Sequence, residues 1–211
     1  MKTFNPRLYF ITDSTGFTEK EFLSKIEQAM EGGITLIQLR EKNKTTAEYI
    51  KLAEKVHHLT KEYGVPLIID DRVDIAAAIG AEGVHLGTDD MPIGTARRIL
   101  GKDYIIGATA KTVERATEAA AQGADYLGVG AIFPTTTKVK TVITPVGVLT
   151  EICSAVSVPV CAIGGLNKDN INVLTGIPIS GICVVSAIMK SHNPKNSAQK
   201  LSERMKEIRG F

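Results

Sequence analysis

Aromatic side chains are scarce in this sequence of 211 residues. Trp is absent, and Phe, Tyr and Trp together make up only 5% of the chain. Few side chains are therefore available on which nucleic-acid bases could stack. The formal net charge is only +2, so no strong field attracts nucleic acid or an anionic membrane surface. We expect neither a nucleic-acid partner nor a membrane partner.

Cysteines and long apolar runs are also rare. The cysteines are Cys153, Cys161 and Cys183, an odd number without metal-ligand spacing, which is typical of reduced thiols. Cys161 and Cys183 lie in apolar runs, where we expect them to fill the core. No apolar run is long enough to span a bilayer, and the N-terminal residues lack the apolar stretch of a secretory signal. These absences favour a cytoplasmic protein.

Short apolar runs alternate with longer helical patterns along the whole chain. The runs are mostly continuous and rich in β-branched residues, as in strands buried on both faces. Strands are predicted at residues 8–13, 35–40, 66–71, 83–87, 104–109, 126–132, 159–165 and 181–188. Helices are predicted at residues 18–30, 45–63, 71–79, 93–100, 112–122, 146–156, 167–175 and 194–209.

This alternation predicts the fold class. About eight consecutive βα units are the number that closes an α/β barrel, so we predict a single-domain (β/α)₈ TIM barrel over residues 1–211. An open doubly wound sheet is the alternative. In a TIM barrel the active site lies at the carboxyl ends of the strands, and several predicted strands here end in polar residues.

Two carboxylates follow neighbouring strands. Asp71 ends the third predicted strand, and Asp90 follows the fourth. We expect the two side chains to face one another. Mg²⁺ commonly takes one or two carboxylates together with substrate phosphates, so the pair predicts a magnesium site. The alternative is that each aspartate only caps a local turn or helix.

Other strand ends carry groups that suit phosphate. Arg40 and Lys42 flank the end of the second strand, and Lys138 follows three threonines in a long polar loop after the sixth. Arg offers a planar fork and Lys a point charge. A Gly-Gly pair ending at Gly165 precedes the predicted helix 167–175, where backbone N–H groups can cradle an anion. Two anion sites fit two phosphorylated substrates, or one substrate with phosphates at both ends.

Six motifs, in this order, resemble the thiamine phosphate synthase family. They are QLREK, IIDD, GVHLGTDDMP, GVGAIFPTTTK, AIGGL and VVSAI. The likeness covers nearly the whole chain. It implies coupling of hydroxymethylpyrimidine diphosphate with hydroxyethylthiazole phosphate to give thiamine phosphate and pyrophosphate. It also implies Mg²⁺ as cofactor and a homodimer as the assembly.

The resemblance also implies roles for individual residues. The substrate-binding residues would be Gln38, Leu39, Arg40, Glu41, Lys42, Asp70, Thr109, Thr135, Thr136, Thr137, Lys138, Gly165, Val185 and Ser186. The pyrimidine diphosphate would be held by Gln38, Arg40, Lys42 and Lys138, of which the three cations would act in catalysis. The thiazole phosphate would be held by Thr135, Thr137, Gly165, Val185 and Ser186. Mg²⁺ would be held by Asp71 and Asp90.

The sequence departs from the usual family pattern at four positions. They are Asp70 for Asn, Thr88 for Gln, Thr109 for Ser and Lys111 for His. Asp70 removes an amide donor and adds negative charge near the expected diphosphate, whereas Thr109 keeps its hydroxyl.

Three other functions are open. One is a related thiazole tautomerase, which shares the barrel but performs no coupling, and another is a non-catalytic barrel that binds thiazole phosphate. The presence of Asp71, Asp90 and Lys138 favours the synthase over both, because a decayed or repurposed site would be expected to lose these residues. The third is another phosphate-handling barrel such as an isomerase, which would need a Glu or Lys base at a strand end, where only Lys42 offers itself. His85, inside the fourth strand, is a further candidate to point into the barrel, with or without a direct catalytic role.

Overall fold

The computed structural model describes residues 4–135 and 142–209. Its strands are all parallel and pair in chain order, and the last strand pairs with the first to close a barrel. They are β1 (Leu8–Ile11), β2 (Leu36–Leu39), β3 (Leu67–Asp70), β4 (Gly83–Leu86), β5 (Ile105–Ala110), β6 (Tyr126–Gly130), β7 (Val160–Ile163) and β8 (Gly181–Val184). The predicted TIM barrel is confirmed, and the open sheet is excluded.

Helices connect the strands and surround the barrel. They are α1 (Glu19–Glu31), α2 (Thr46–Glu62), α3 (Val73–Ile79), α4 (Ile93–Leu100), α5 (Val113–Ala121), α6 (Val146–Ala155), α7 (Ser186–Met189) and α8 (Pro194–Arg209), with a 3₁₀ helix at Ile171–Leu174. Within the part of the chain that is described, none of them is both long and apolar enough to cross a membrane.

Capping boxes fix where the first two long helices begin. Thr18 accepts a hydrogen bond from the backbone N–H of Glu21, and the Glu21 carboxylate accepts one from the backbone N–H of Thr18. Thr45 and Glu48 repeat the arrangement before α2. Each box satisfies backbone donors that the first helical turn leaves unpaired. The sequence had indicated the first of these boxes, and the structure confirms it.

The predicted helix at residues 167–175 is wrong, since only a short 3₁₀ turn forms there. Asparagine side chains bond to the local backbone instead: Asn167 N–H donates to Asn170 Oδ1 at 2.8 Å, and Asp169 N–H donates to Asn167 Oδ1 at 2.9 Å. Such bonds compete with helical hydrogen bonding. The predicted eighth strand was too long for a different reason, because its apolar run continues into α7.

The core has two layers that follow the two faces of each strand. The outer layer packs strands against helices. The inner layer fills the barrel and includes Tyr9, Ile11, Leu36, Ile68, Ile105, Tyr126, Cys161 and Cys183. Alternate strand residues point inward, so burial on both faces explains the continuous apolar runs. The expected core positions of Cys161 and Cys183 are confirmed.

Candidate active site

Charged side chains from the ends of β2 and β3 meet at the carboxyl rim of the barrel. Lys42 Nζ lies 2.7 Å from Asp70 Oδ2 and also contacts Asp71 Oδ2. Arg40 Nε lies 3.8 Å from the same Asp70 oxygen. Arg72 turns away and pairs with Asp74 on α3 at 2.6 Å. Lys42 is therefore the main partner of both neighbouring carboxylates.

A tight backbone turn sets the position of Asp71. Its φ is 61°, in the left-handed region that Asp tolerates better than most residues. Asp71 N–H donates to the His85 carbonyl of β4 at 2.9 Å, and Arg72 N–H donates to the Asp70 carbonyl at 2.7 Å. The first bond extends the sheet ladder by one residue, and the second closes the turn. Asp71 is thereby fixed to β4, the strand that leads to Asp90.

Asp90 is held by the turn that follows β4. Its Oδ2 accepts a hydrogen bond from Gly87 N–H at 2.7 Å. Burial raises the pKa of the Asp90 carboxyl, and the side chain of Asp71, within hydrogen-bonding reach, raises it further. Two acidic side chains in such contact repel one another when both are ionised, and a cation between them would relieve the repulsion.

The pKa shifts of Asp70 and Lys42 point to a local shortage of positive charge. Burial and the neighbouring Asp71 raise the pKa of Asp70 to about 6, although Lys42 and Arg40 oppose the shift. Burial lowers the pKa of Lys42, but contact with Asp70 and Asp71 outweighs it and the net shift is upward. Asp70 favours protonation mainly because it is buried beside a second carboxylate, and Lys42 favours protonation because two carboxylates contact it. A hard divalent cation would supply the missing charge.

The carboxylates fit a metal site that the protein only partly encloses. In the ranges 4–135 and 142–209, no group of three or more His, Cys, Asp and Glu residues is arranged to hold a metal ion. A metal ion held by Asp71 and Asp90 would therefore have carboxylates from two residues, and its remaining positions would be open to water or substrate oxygens. Such incomplete protein coordination is usual for Mg²⁺ in phosphate chemistry.

Glu41 connects the loop after β2 to the loop after β1. Its Oε2 accepts a hydrogen bond from Ser14 Oγ at 2.8 Å and lies 3.7 Å from Lys44 Nζ. Only 6% of its side chain is exposed, and burial raises its pKa. Residues 13–15 and 40–44 line a cavity of about 430 Å³ beside the charged cluster. Glu41 thus shapes one wall of the candidate site.

Below this rim, polar side chains cross the interior of the barrel. Gln38 Nε2 donates to the Tyr9 hydroxyl at 2.7 Å, and the hydroxyls of Tyr9 and Tyr126 lie 2.8 Å apart. His85 Nδ1 lies 3.1 Å from the Tyr126 hydroxyl, and His85 Nε2 lies 3.0 Å from Thr109 Oγ1. His85 does point into the barrel, and burial lowers its pKa to about 4. Its ring is therefore neutral at pH 7.

The other side of the rim, formed by the ends of β6, β7 and β8 and called here the opposite arc, includes a turn at Gly165. Gly165 has a φ of 63°, and a Cβ there would lie 2.7 Å from both Phe133 Cβ and the Pro134 carbonyl oxygen. Only glycine can adopt this positive φ and still pack so closely against its neighbours. The helix that the sequence predicted just after Gly165 is absent. After the neighbouring strand β8, however, α7 begins at Ser186.

The structure divides the predicted residues between two arcs. Arg40, Lys42, Asp70, Asp71 and Asp90 follow β2, β3 and β4, and Leu39 is a buried residue of β2. Thr135, Gly165, Val185 and Ser186 follow β6, β7 and β8, and Thr109 in β5 stands between the groups. The predicted residues Thr136, Thr137 and Lys138 lie outside the described part of the chain.

Sequence reasoning did not identify Tyr9 and Tyr126 as part of the site region. Both are fully buried, and they connect Gln38 to His85 beneath the rim. One signal was available, because a tyrosine inside a buried apolar run needs a partner for its hydroxyl. Ser14 was also missed, and the sequence held no comparable signal for its contact with Glu41.

The chain folds as a closed (β/α)₈ barrel, and charged side chains gather at the carboxyl rim of that barrel. Enzymes with this fold place their active sites at the same rim. The fold and the site therefore place the chain in the class of barrel enzymes. The family model described as thiamine monophosphate synthase matches residues 8–188. The chain belongs to this family.

Two curated relatives match this chain over almost their entire lengths. The chain is 47% identical over 202 residues to thiamine-phosphate synthase 2 of Streptococcus pneumoniae, covering 96% of each chain. It is 46% identical over 206 residues to the thiamine-phosphate synthase of Enterococcus faecalis, covering 96% of this chain and 97% of the relative.

Solved structures agree as well. The thiamine phosphate pyrophosphorylase of Pyrococcus furiosus superposes with a TM-score of 0.87 at 39% identity, covering 96% of each chain. KGPDC from Streptococcus mutans superposes with a TM-score of 0.69 at only 14% identity, covering 97% of this chain and 99% of that one. The second similarity shows the barrel fold alone.

Proposed function

We propose that this enzyme couples hydroxymethylpyrimidine diphosphate with hydroxyethylthiazole phosphate in thiamine biosynthesis. The bond between the pyrimidine's exocyclic CH₂ and the diphosphate oxygen breaks, and pyrophosphate leaves with the electron pair. The thiazole nitrogen forms the new bond to that CH₂, which gives thiamine phosphate. The reaction is a group transfer that needs no nucleophile from the protein.

The observation that carries this proposal is the charged cluster at the ends of β2, β3 and β4. A diphosphate leaving group accumulates negative charge as it departs, and preorganised cations stabilise that charge. Arg40 and Lys42 stand at this rim, and we assign both to the pyrimidine diphosphate. Lys138 is assigned with them on the family resemblance alone. Asp70 and Asp71 hold Lys42, so diphosphate must compete with them for its ammonium group.

Asp71 and Asp90 would hold Mg²⁺. The support is the raised pKa of Asp90, to which the nearby Asp71 carboxylate contributes, together with the oxygen-only chemistry of the pair. When bound, Mg²⁺ would neutralise charge on the diphosphate. The protein's own part is to keep the two carboxylates together through the Asp71 turn and the Gly87–Asp90 hydrogen bond.

We assign the thiazole phosphate to the opposite arc. The support is the turn at Gly165 and the adjacent start of α7 at Ser186, because backbone N–H groups at such places bind phosphate. TIM barrels often bind phosphate after strands seven and eight. Thr135, Thr136, Thr137 and Val185 are assigned to this substrate by family resemblance. The two phosphates would then lie across the barrel mouth from one another.

The test is a coupling assay with purified protein, both heterocyclic phosphates and Mg²⁺. We expect thiamine phosphate to form only when both substrates and Mg²⁺ are present. Conversion of the thiazole substrate alone, without any coupling, would show the tautomerase activity instead. Binding of thiazole phosphate without turnover would show a non-catalytic barrel.

We also propose that the enzyme is a cytoplasmic homodimer, which rests on resemblance to the family and on the composition of the chain. Light scattering on the eluting peak of a sizing column measures the assembly directly. A dimer should give twice the 22.7 kDa of one chain, whereas a single-chain mass at micromolar concentration would contradict it.

A further inference from the structure

Two successive carbonyl groups of the glycine turn after β7 are held by donors from neighbouring segments. The Gly164 carbonyl accepts a hydrogen bond from Phe133 N–H at 3.0 Å. The Gly165 carbonyl accepts one from Asn170 Nδ2 at 2.9 Å. The first donor is a backbone group of the segment after β6, whereas the second is a partly buried side chain. One side chain therefore helps to set the conformation of the turn.

Both ends of the Asn170 amide are used, and each end has a fixed role. Asn170 Oδ1 accepts a hydrogen bond from Asn167 N–H at 2.8 Å, while Nδ2 donates to the Gly165 carbonyl. A backbone N–H can only donate and a carbonyl can only accept, so the amide fits this place in one orientation. A carboxylate of the same shape could accept but not donate, and alanine could do neither. Asparagine is thus chemically matched to the position.

Holding a carbonyl also orients the N–H of the same peptide, because the two point in opposite directions across a planar trans peptide. The Gly164 carbonyl faces Phe133, so Gly165 N–H points away from Phe133. The Gly165 carbonyl faces Asn170, so Leu166 N–H points away from Asn170. Within the part of the chain that is described, neither N–H donates to another group. Successive N–H groups in such a turn form a concave site for an anion.

Packing fixes one side of this turn, and Asn170 holds the other. Gly164 has a φ of 104°, and a Cβ there would lie 2.3 Å from Ala131 Cβ. The backbone at Gly164 therefore lies directly against the segment after β6. The Gly165 carbonyl is held instead by the Asn170 side chain. Loss of the amide should free the peptide between Gly165 and Leu166 and leave the rest of the turn in place.

We infer that Asn170 is a positioning residue for the thiazole phosphate, because it turns the N–H of Leu166 toward the phosphate by holding the Gly165 carbonyl. The inference rests on the proposed function, which assigns this phosphate to the opposite arc. Asn170 acts through the backbone and does not touch the substrate. Without its amide the peptide can rotate, and the Gly165 carbonyl oxygen would then repel the phosphate instead of a donor attracting it.

Calorimetric titration of each substrate alone tests this role without turnover. Asn170→Ala should weaken binding of thiazole phosphate about tenfold, the scale of one hydrogen bond to a charged group. Binding of pyrimidine diphosphate in the presence of Mg²⁺ should be unchanged, because its assigned residues follow other strands. Asn172→Ala is the matched control, since Asn172 is exposed and its Oδ1 accepts from Arg204 Nη2 at 2.7 Å. No weakening in Asn170→Ala, or equal weakening for both substrates, would contradict the positioning role.

A charged variant separates this role from a purely structural one. Asn170→Asp keeps an acceptor for Asn167 N–H but has no proton for the Gly165 carbonyl, and it adds a negative charge near the phosphate. It should therefore bind thiazole phosphate more weakly than Asn170→Ala does. The difference between the two variants should shrink as ionic strength rises, because salt screens the added charge. Equal or tighter binding by Asn170→Asp at low salt would contradict the placement of the phosphate beside this turn.

Backbone ¹H–¹⁵N spectra locate the effect on single N–H groups. Adding inorganic phosphate to the unaltered protein should shift the signals of Gly165 and Leu166. In Asn170→Ala the shift at Leu166 should be lost, and in Asn172→Ala it should remain. A Leu166 signal that responds equally in Asn170→Ala, or does not respond in the unaltered protein, would overturn the inference. If the unaltered enzyme bound thiazole phosphate but formed no thiamine phosphate, the proposed coupling would fail, while these measurements would still decide the role of Asn170.

Discussion

Asp70 stands where the family pattern usually has Asn, so this position carries a negative charge in place of an amide. It lies at the end of β3 and binds the ammonium group of Lys42, with only 9% of its side chain exposed. Burial and Asp71 raise its pKa to about 6. Its carboxylate therefore lies within the charged cluster at the rim. Asp70 pairs with Lys42 and would compete with an incoming diphosphate for this cation.

Replacing this carboxylate should free Lys42. Asp70→Asn should tighten binding of pyrimidine diphosphate by about 1 kcal/mol, or roughly fivefold, because a competing charge is removed and an amide donor is gained. Titration of the diphosphate substrate by calorimetry measures the change. Asp74→Asn, on the exposed start of α3, is the matched control. A higher Mg²⁺ requirement in Asp70→Asn would identify Asp70 as a metal ligand, and identical curves would identify it as purely structural.

The metal assignment is also a claim about single residues. Asp71→Asn and Asp90→Asn keep the shape of each side chain and remove its charge. Mn²⁺ is a paramagnetic substitute for Mg²⁺, and its binding can be followed by electron paramagnetic resonance without turnover. Each change should weaken Mn²⁺ binding by at least about tenfold, the lower end of what loss of an outer-sphere partner costs.

Asp89→Asn is the matched control for the metal test. Asp89 is the exposed neighbour of Asp90 and has the same charge, so a general effect of surface charge would appear in both variants. Normal Mn²⁺ affinity in Asp71→Asn and Asp90→Asn, with or without substrate, would exclude these carboxylates as ligands.

Among the elements, β5 and β6 pack closely against one another inside the barrel. Gly107 of β5 faces the ring of Tyr126 from β6 so closely that a Cβ would overlap it. Gly107→Ala should lower the free energy of unfolding by about 1–3 kcal/mol, because neither buried strand can shift freely. Urea unfolding measures this loss.

Gly94 provides the control for this change. It lies in α4, and a Cβ there would meet nothing within 4 Å. Gly94→Ala should be neutral or stabilising by up to about 1 kcal/mol, since alanine favours helix. Equal stability of Gly107→Ala and the unaltered protein would show that the barrel interior is looser than described.

The loops after β1 and β2 are connected through Glu41, and this connection should depend on pH. Burial raises the pKa of Glu41 in the folded chain. Its contribution to stability is therefore fully present below its unfolded pKa and is lost as pH rises through the folded pKa. Glu41→Gln should accordingly gain stability relative to the unaltered protein as pH rises from about 4.5.

Urea unfolding of Glu41→Gln and of the unaltered protein over this pH range isolates the contribution of Glu41 to stability, because the two proteins share all other titrating groups. A stability difference that does not change with pH would contradict the raised pKa. Glu48→Gln is a useful comparison, because hydrogen bonds to Thr45 lower the pKa of Glu48 and its contribution to stability is lost only as pH falls below about 4.5. Glu48→Gln should therefore lose stability relative to the unaltered protein as pH rises toward that value, and the difference should stay constant above it.

For the whole molecule, local patterns were sufficient to predict the barrel. Continuous apolar runs located every strand, and the capping box at Thr18 located the start of α1. Gly165 was recognised by its position after the seventh strand. Patterns failed at residues 167–175 because asparagine side chains, whose bonding the sequence does not show, replaced helical hydrogen bonds.

The sequence predicted which residues gather at the rim but not which contacts they make there. Strand order placed Asp71 near Asp90, since both follow adjacent strands. The choice of Lys42 rather than Arg72 as the partner of Asp70 depends on backbone turns. The connection from Tyr9 to Tyr126 spans 117 positions in the sequence, and only closure of the barrel brings the two together.

The central claim is that one rim holds two anion sites of different kinds, one assisted by metal and one built from backbone. Calorimetric titration of each substrate alone, with and without Mg²⁺, tests it most directly. Mg²⁺ should strengthen binding of pyrimidine diphosphate by at least about tenfold and leave binding of thiazole phosphate unchanged. Equal dependence of both substrates on Mg²⁺, or no dependence of either, would contradict the two-site account.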